Sequence, residues 1–297
     1  MKKLLFLFLI SSPISRSEAQ KLHTMEFNSV EETMRFFSYH NLLTYGPIIS
    51  GHRGGASQQF PENSFALFEE TLQSTPAVFE IDVRLTKDGY AVLLHDDTLG
   101  RTTTGIGKII DYTLAELQQL KRKDQKGMVT DIGLVTLQEA IEWSRGKTLI
   151  NLDVKDVPME KKIELVTKNN AFSHVIFTVH SPEEARFFYD YDSRSMFSAF
   201  IKTKKAFYSY DKSGIPWENI LIAYVGPWNK PENEELYDLL HDKGVRVMVS
   251  AATYYDKLQD PEERAAAYRK IIKDGADILE SDRPIEAAIA IRSLMKN

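Results

Sequence analysis

The chain has 297 residues, of which 43% are hydrophobic and 27% charged, with a net charge of −5 and no cysteine. This excludes disulfides, thiolate nucleophiles, cysteine metal sites and a lipidated cysteine, and it gives no support to nucleic-acid binding, which leaves a basic patch. The length suits one α/β barrel of about 250 residues, and no Pro/Gly/Ser-rich linker divides the chain, so one domain is expected.

Lys2 and Lys3 precede the apolar run Leu4–Ile10, and a polar stretch with a plausible cut at Ser17-Glu18-Ala19 follows. That order is the layout of a signal peptide over residues 1–19, and the run is far short of the roughly 20 apolar residues that span a bilayer. The expected location is therefore periplasmic or secreted, with no stable membrane insertion after the leader is removed. Ser29-Val30-Glu31-Glu32 has the form of a capping box and starts a lead-in helix within 20–46, expected to pack under the barrel.

From Pro47 onward short apolar strands alternate with helices. The strand candidates are Pro47–Gly51, Val78–Leu85, Thr148–Val154, Val175–Val179, Met196–Ile201, Ile220–Val225, Val245–Ser250 and Ile278–Ser281. Thr136-Leu137-Gln138-Glu139 and Ser181-Pro182-Glu183-Glu184 open helices, while Gly244 and Gly275 end them. Eight repeats of this alternation predict a (β/α)8 barrel over 47–297, with an open doubly wound sheet as the alternative. A further extended run, Tyr90–His95, follows an Asp88-Gly89 turn and is read as an antiparallel appendage to the second strand. It leads into an insertion over about 86–133 at the active-site end.

The second strand places Phe79, Ile81, Val83 and Leu85 on one face and Glu80, Asp82 and Arg84 on the other. Helices cover the outside of a barrel, so the charged set is expected to point inward, where Arg84 would neutralise part of it. The third strand repeats the anomaly with Asn151, Asp153 and Lys155. Three carboxylates converging from two strands favour a divalent cation, and all-oxygen ligands suit Mg²⁺ or Ca²⁺ better than Zn²⁺. His52 and His95 end strands beside this cluster, where general acid–base work is expected. His180 is a weaker candidate, and His23, His40 and His241 read as surface residues.

His52-Arg53-Gly54, Pro61-Glu62-Asn63-Ser64, Glu80-Ile81-Asp82, Thr86-Lys87-Asp88-Gly89, His95-Asp96 and Arg101-Thr102-Thr103 occur in one order. With Asn151–Lys155 and Ser281-Asp282-Arg283-Pro284, the set resembles the glycerophosphodiester phosphodiesterase family across nearly the whole chain after the leader. The resemblance implies that His52 and His95 are the acid–base pair, that Glu80, Asp82 and Asp153 hold the metal, and that Arg53 and Lys155 bind phosphate. Glu62 and Asn63 would support the site from the loop after the first strand. The family usually carries glutamate at the position of Asp153. The shorter side chain withdraws the carboxylate by about 1.5 Å, one carbon–carbon bond, which leaves direct and water-bridged ligation both open.

The implied activity is hydrolysis of a small-molecule glycerophosphodiester to glycerol 3-phosphate and an alcohol, by water or through the substrate's own 2-hydroxyl. Three carboxylates and one phosphodiester would balance a divalent cation, Arg53 and Lys155. Phe200, Tyr224 and Trp228 lie near later strand ends, where they would contact the alcohol, a choline-like cation included, or simply pack. The alternatives are a lipid phosphodiesterase and a non-catalytic exported binding protein.

Overall fold

Strands too short to stand alone are held here by their neighbours on both sides and by the helices that follow each of them. The computed structural model describes residues 21–41, 46–228 and 233–294. The leader expected over residues 1–19 lies outside them. Strands β1 (Ile48–His52) and β2 (Val78–Ile81) are followed by a separate hairpin, β3 (Val83–Leu85) and β4 (Ala91–Leu93). Then come β5 (Ile150–Leu152), β6 (Val175–Val179), β7 (Phe197–Phe200), β8 (Ile220–Gly226), β9 (Arg246–Ser250) and β10 (Ile278–Ser281). Around the ring the order is β1-β2-β5-β6-β7-β8-β9-β10, every pair parallel, and β10 returns to pair with β1. This is a closed (β/α)8 barrel.

The helices are α1 (Val30–Phe37), α2 (Phe65–Ser74), α3 (Leu114–Leu117), α4 (Leu137–Ser144) and α5 (Met159–Lys168). They continue with α6 (Pro182–Tyr191), α7 (Lys204–Asp211), α8 (Glu234–Asp242), α9 (Pro261–Lys273) and α10 (Pro284–Ile291). Their starts follow the capping chemistry of the sequence. Thr136 forms both arms of a capping box with Glu139, and Ser181 accepts from the Glu184 amide with Pro182 at the first helical position. At α1 only one arm is as expected: Ser29 accepts from the Glu32 amide, but the Glu32 carboxylate reaches back to the amide of Asn28 instead of Ser29. Helix α1 closes the bottom of the barrel. Arg246, buried at the start of β9, donates to the carbonyls of Phe36, Phe37 and Gly46 at 2.8–3.0 Å.

The second strand is shorter than its pattern. At Asp82 the backbone leaves the barrel ladder: its amide donates to the Asn63 side chain and its carbonyl accepts from Leu94. Val83–Leu85 then pair antiparallel with Ala91–Leu93. The alternation still holds up to the break, with Phe79 stacked on Phe68 of α2 outside and Glu80 inside. It fails beyond it, and Arg84 turns away to Asp156 and the His95 carbonyl. The excursion that follows carries a small apolar cluster of its own, Val92, Leu94, Leu99, Ile109 and Leu117. Among the described residues no helix is long and apolar enough to cross a membrane.

Candidate active site

Every barrel strand sends a side chain into one cavity of about 500 Å³ at the C-terminal ends of the strands. His52 comes from β1, Glu80 from β2, Asn151 from β5, Thr178 from β6, Ser198 and Phe200 from β7, Tyr224 from β8, Ser250 from β9 and Glu280 from β10. This is the end at which barrel loops build active sites.

The turn after β1 is built for close approach. Gly54 and Gly55 have φ of +91° and +117°, and a Cβ on Gly54 would lie 2.4 Å from the Phe68 ring. Arg53 and Asn63 are themselves left-handed, with φ of +55° and +53°. Such strain persists where surrounding bonds fix it. The Arg53 amide donates to Glu80 Oε2 at 3.0 Å, and its carbonyl accepts from the Asn63 amide at 2.7 Å.

Glu80, Asp82 and Asp153 each place a carboxylate oxygen within 4.8 Å of the others. Asp153 therefore reaches the group although it is one methylene shorter than the expected glutamate. Asp82, 1% exposed, accepts from Asn63 Nδ2 at 2.9 Å and faces Lys155 Nζ at 3.2 Å and Arg53 Nε at 3.4 Å. Burial would lower the Lys155 ammonium pKa, but its bond to Asp153 at 2.5 Å and the charges of Asp153 and Asp82 together outweigh it, and the net shift is upward. Arg53 and Lys155 thus supply the neutralisation expected of Arg84. They do not relieve Glu80: burial first, and Asp82 beside it second, push its carboxyl well above the usual carboxylate range. A divalent cation would remove that penalty. The donor set, three carboxylates and no nitrogen or sulfur, fits a hard cation such as Mg²⁺ or Ca²⁺.

His52 Nδ1 pairs with Asp282 Oδ1 at 2.7 Å, and its Nε2 lies 4.0 Å from Glu80. Burial alone would lower the imidazole pKa, but the Asp282 bond and the charges of Glu80 and Glu280 override it and push it up to about 10. A cation held by Glu80 would oppose that rise. His95 follows directly on Leu94, whose amide is bonded to the Asp82 carbonyl, so both histidines belong to the same end of the barrel. Its Nδ1 pairs with Asp96 at 2.8 Å. Arg101 clamps Asp96 and, with two bonds of 2.7 and 3.0 Å, Glu62. Burial raises the Glu62 carboxyl pKa, but Arg101 and Arg53 more than offset it and the net shift is downward. Beneath this chain the buried guanidinium of Arg122 donates to the Glu62 carbonyl at 2.6 Å.

The remaining candidates divide. Phe200 and Tyr224 line the cavity; Trp228 does not, and packs instead on Tyr254 at 5.0 Å. The His180 ring packs 4.2 Å from Phe200, and its amide donates to Glu184. His241 is not a surface residue: it stacks on Tyr39 at 3.6 Å and bonds Asp277 at 2.8 Å, at the barrel's lower end. Four residues of the site escaped the sequence reading, namely Asp282, Glu280, Arg101 and Lys202. Asp282 stood in a quoted motif without a role, because its partner His52 is 230 residues away. These groups also make the simple charge balance incomplete.

A model of the glycerophosphoryl diester phosphodiesterase family matches residues 52–204. A crystal structure of a glycerophosphoryl diester phosphodiesterase from Parabacteroides distasonis is similar at 50% identity, covering 93% of this chain and 96% of that one, with a TM-score of 0.89. A glycerophosphodiester phosphodiesterase of Caldanaerobacter subterraneus is 33% identical over 44% of this chain and 57% of its own. The chain spans about half the length of the first curated relatives it matches. An Oleispira antarctica phosphodiesterase, solved with the product sn-glycerol-3-phosphate, shares the fold at 22% identity and a TM-score of 0.62.

Proposed function

Because the chain belongs to the glycerophosphoryl diester phosphodiesterase family, we propose that it hydrolyses glycerophosphodiesters to glycerol 3-phosphate and an alcohol. The observation that carries this reading is the cluster of Glu80, Asp82 and Asp153 beside a cavity that Glu80, Asp153 and His52 line. Those three carboxylates would hold a divalent cation, Mg²⁺ or Ca²⁺, which when bound supplies positive charge to the phosphate and to the attacking oxygen.

The chain's own residues do the rest. Arg53 and Lys155, fixed by Asp82, stabilise charge that builds on the phosphoryl oxygens. Asp282 holds His52 by Nδ1, which leaves Nε2 on the Glu80 side to exchange a proton with the substrate. Asp96 orients His95 in the same way. Between them the two imidazoles take the proton from the attacking oxygen and return one to the departing alcohol. The attacking oxygen is water or the glycerol 2-hydroxyl. Glu62, locked by Arg101, ties the loop after β1 to the Asp96 side of the site.

The test is a panel of glycerophosphodiesters assayed with EDTA, Mg²⁺ or Ca²⁺ while glycerol 3-phosphate is followed. Turnover is expected only with a cation. Replacing either His52 or His95 by alanine should cost about 10²–10⁴ in kcat. Near-normal rates in both variants, or undiminished turnover in EDTA, would remove the assignment. A second reading, hydrolysis of intact lipid diesters, draws on the exposed Ile106, Ile110, Met128 and Val129 of the insertion. Micelles of the parent phospholipid, assayed beside the soluble diester, separate the two. We also propose export, on the leader pattern of residues 1–19; cell fractionation tests it, and retention in the cytoplasm would refute it.

A further inference from the structure

Phe200 on β7 and Tyr224 on β8 stand three or four strands around the ring from His52 on β1 and Glu80 on β2. A phosphate held on the β1–β2 side therefore extends its substituent across the cavity toward these two rings. Aromatic faces in such a place are where a quaternary ammonium would dock. Here both faces already carry a cation. Lys202 Nζ lies 4.7 Å from the Phe200 centroid and 4.9 Å from the Tyr224 centroid, and the rings are 4.6 Å apart.

Lys202 lines the cavity, and so does Lys257. Among the described residues neither ammonium has a carboxylate within ion-pair distance, whereas Arg53, in the same cavity, is paired with Glu62 and Asp82. The Oγ of Ser198, two residues before Phe200 on the inward face of β7, is buried and has no hydrogen-bond partner among the described residues. Glu280, a carboxylate lining the same cavity, accepts a long bond from Ser50 on β1 at 3.5 Å and acts on both His52 and Tyr224, so Lys202 and Lys257 are the unpaired cations that face it across the cavity. A choline-like group entering this side would meet an ammonium of like charge over both rings. An acidic group would find two unpaired ammonium groups and a hydroxyl that lacks a partner.

We propose that Lys202 selects diesters whose alcohol carries negative charge over those with a quaternary-ammonium head group. The inference rests on the phosphodiesterase reading above and names the substrate class for that same cavity.

The experiment compares glycerophosphocholine, glycerophosphoglycerol and bis(glycerophospho)glycerol, which are cationic, neutral and anionic at the alcohol. It uses the wild-type enzyme with its cation, Lys202→Met and Lys202→Glu, and records kcat/KM together with dissociation constants by calorimetry. The expected wild-type preference for the anionic over the choline diester is about tenfold or more. That ratio should collapse toward one in Lys202→Met and invert in Lys202→Glu. A wild-type enzyme that handles the choline diester as well as the anionic one overturns the inference, as does a ratio unmoved in Lys202→Glu. Cleavage of none of the three defeats the phosphodiesterase reading instead, and the binding ratios then decide the charge preference alone.

Discussion

His174, just before β6, has a ring nearly closed off from solvent. One imidazole nitrogen donates to the Ile141 carbonyl and the other accepts from Ser173, each at 3.2 Å. Burial, with Arg145 adding to it, lowers its pKa from 6.5 to about 4. Above pH 6.5 the ring is neutral whether the chain is folded or not, and its contribution is whole. As pH falls from 6.5 toward 4 the unfolded chain takes up a proton that the folded one refuses, so stability declines by about 3 kcal/mol. Replacement by glutamine should flatten this slope between pH 5 and 6.5 in urea titrations; an unchanged slope would show that His174 is not the group. Other single residues were readable without coordinates. Strand alternation and strand ends singled out His52, Glu80 and Asp82, while Arg53, Glu62 and Asn63 came through the family resemblance; the structure gathers them at one end of the barrel. Asp282 and Lys202 were not readable in the same way, because what they do depends on which strand lies beside or across from theirs.

At the scale of elements, the caps of α4 and α6 and the Asp88-Gly89 turn were legible because they are local bonds. The end of β2 was not. Its apolar alternation continues through Leu85, but Asn63 and Leu94 capture the Asp82 backbone and end the ladder there. A period of two predicts facing only as far as the strand stays in its sheet, and Arg84 lies past that point. Helix α1 depends on one side chain in a comparable way. Arg246 places a cation among three carbonyls at the end of α1 and in the segment leading to β1, where a helix terminus favours positive charge. Arg246→Met leaves those carbonyls without their donor and should cost about 3 kcal/mol in denaturant unfolding. Because this end is opposite the cavity, kcat/KM of the folded variant should stay within about twofold. A large fall in kcat/KM at full stability would contradict that separation.

For the whole molecule, eight strand–helix repeats were enough to expect a ring, since successive parallel strands with covering helices admit few other closures. The cation belongs to this scale because its three expected ligands come from β2, the residue after it and the residue after β5. A ligand that binds only the folded ring at a hundred times its Kd adds about 2.7 kcal/mol of stability. For a barrel of this size that raises Tm by about 5 °C or more. Ca²⁺ or Mg²⁺ should produce such a rise in the wild-type protein and little of it in Asp153→Asn. A rise of equal size in that variant would place the cation elsewhere.

The pairing of β10 with β1 has a consequence for the polypeptide while it is being made. When Lys155 is added to the growing chain the acidic trio and Arg53 have already been synthesised, yet Asp282, which pairs with the His52 ring, is still more than a hundred residues from being added. On the proposed mechanism a nascent or prematurely terminated chain would lack the partner that orients His52, and diester hydrolysis would wait for the last turn of the fold.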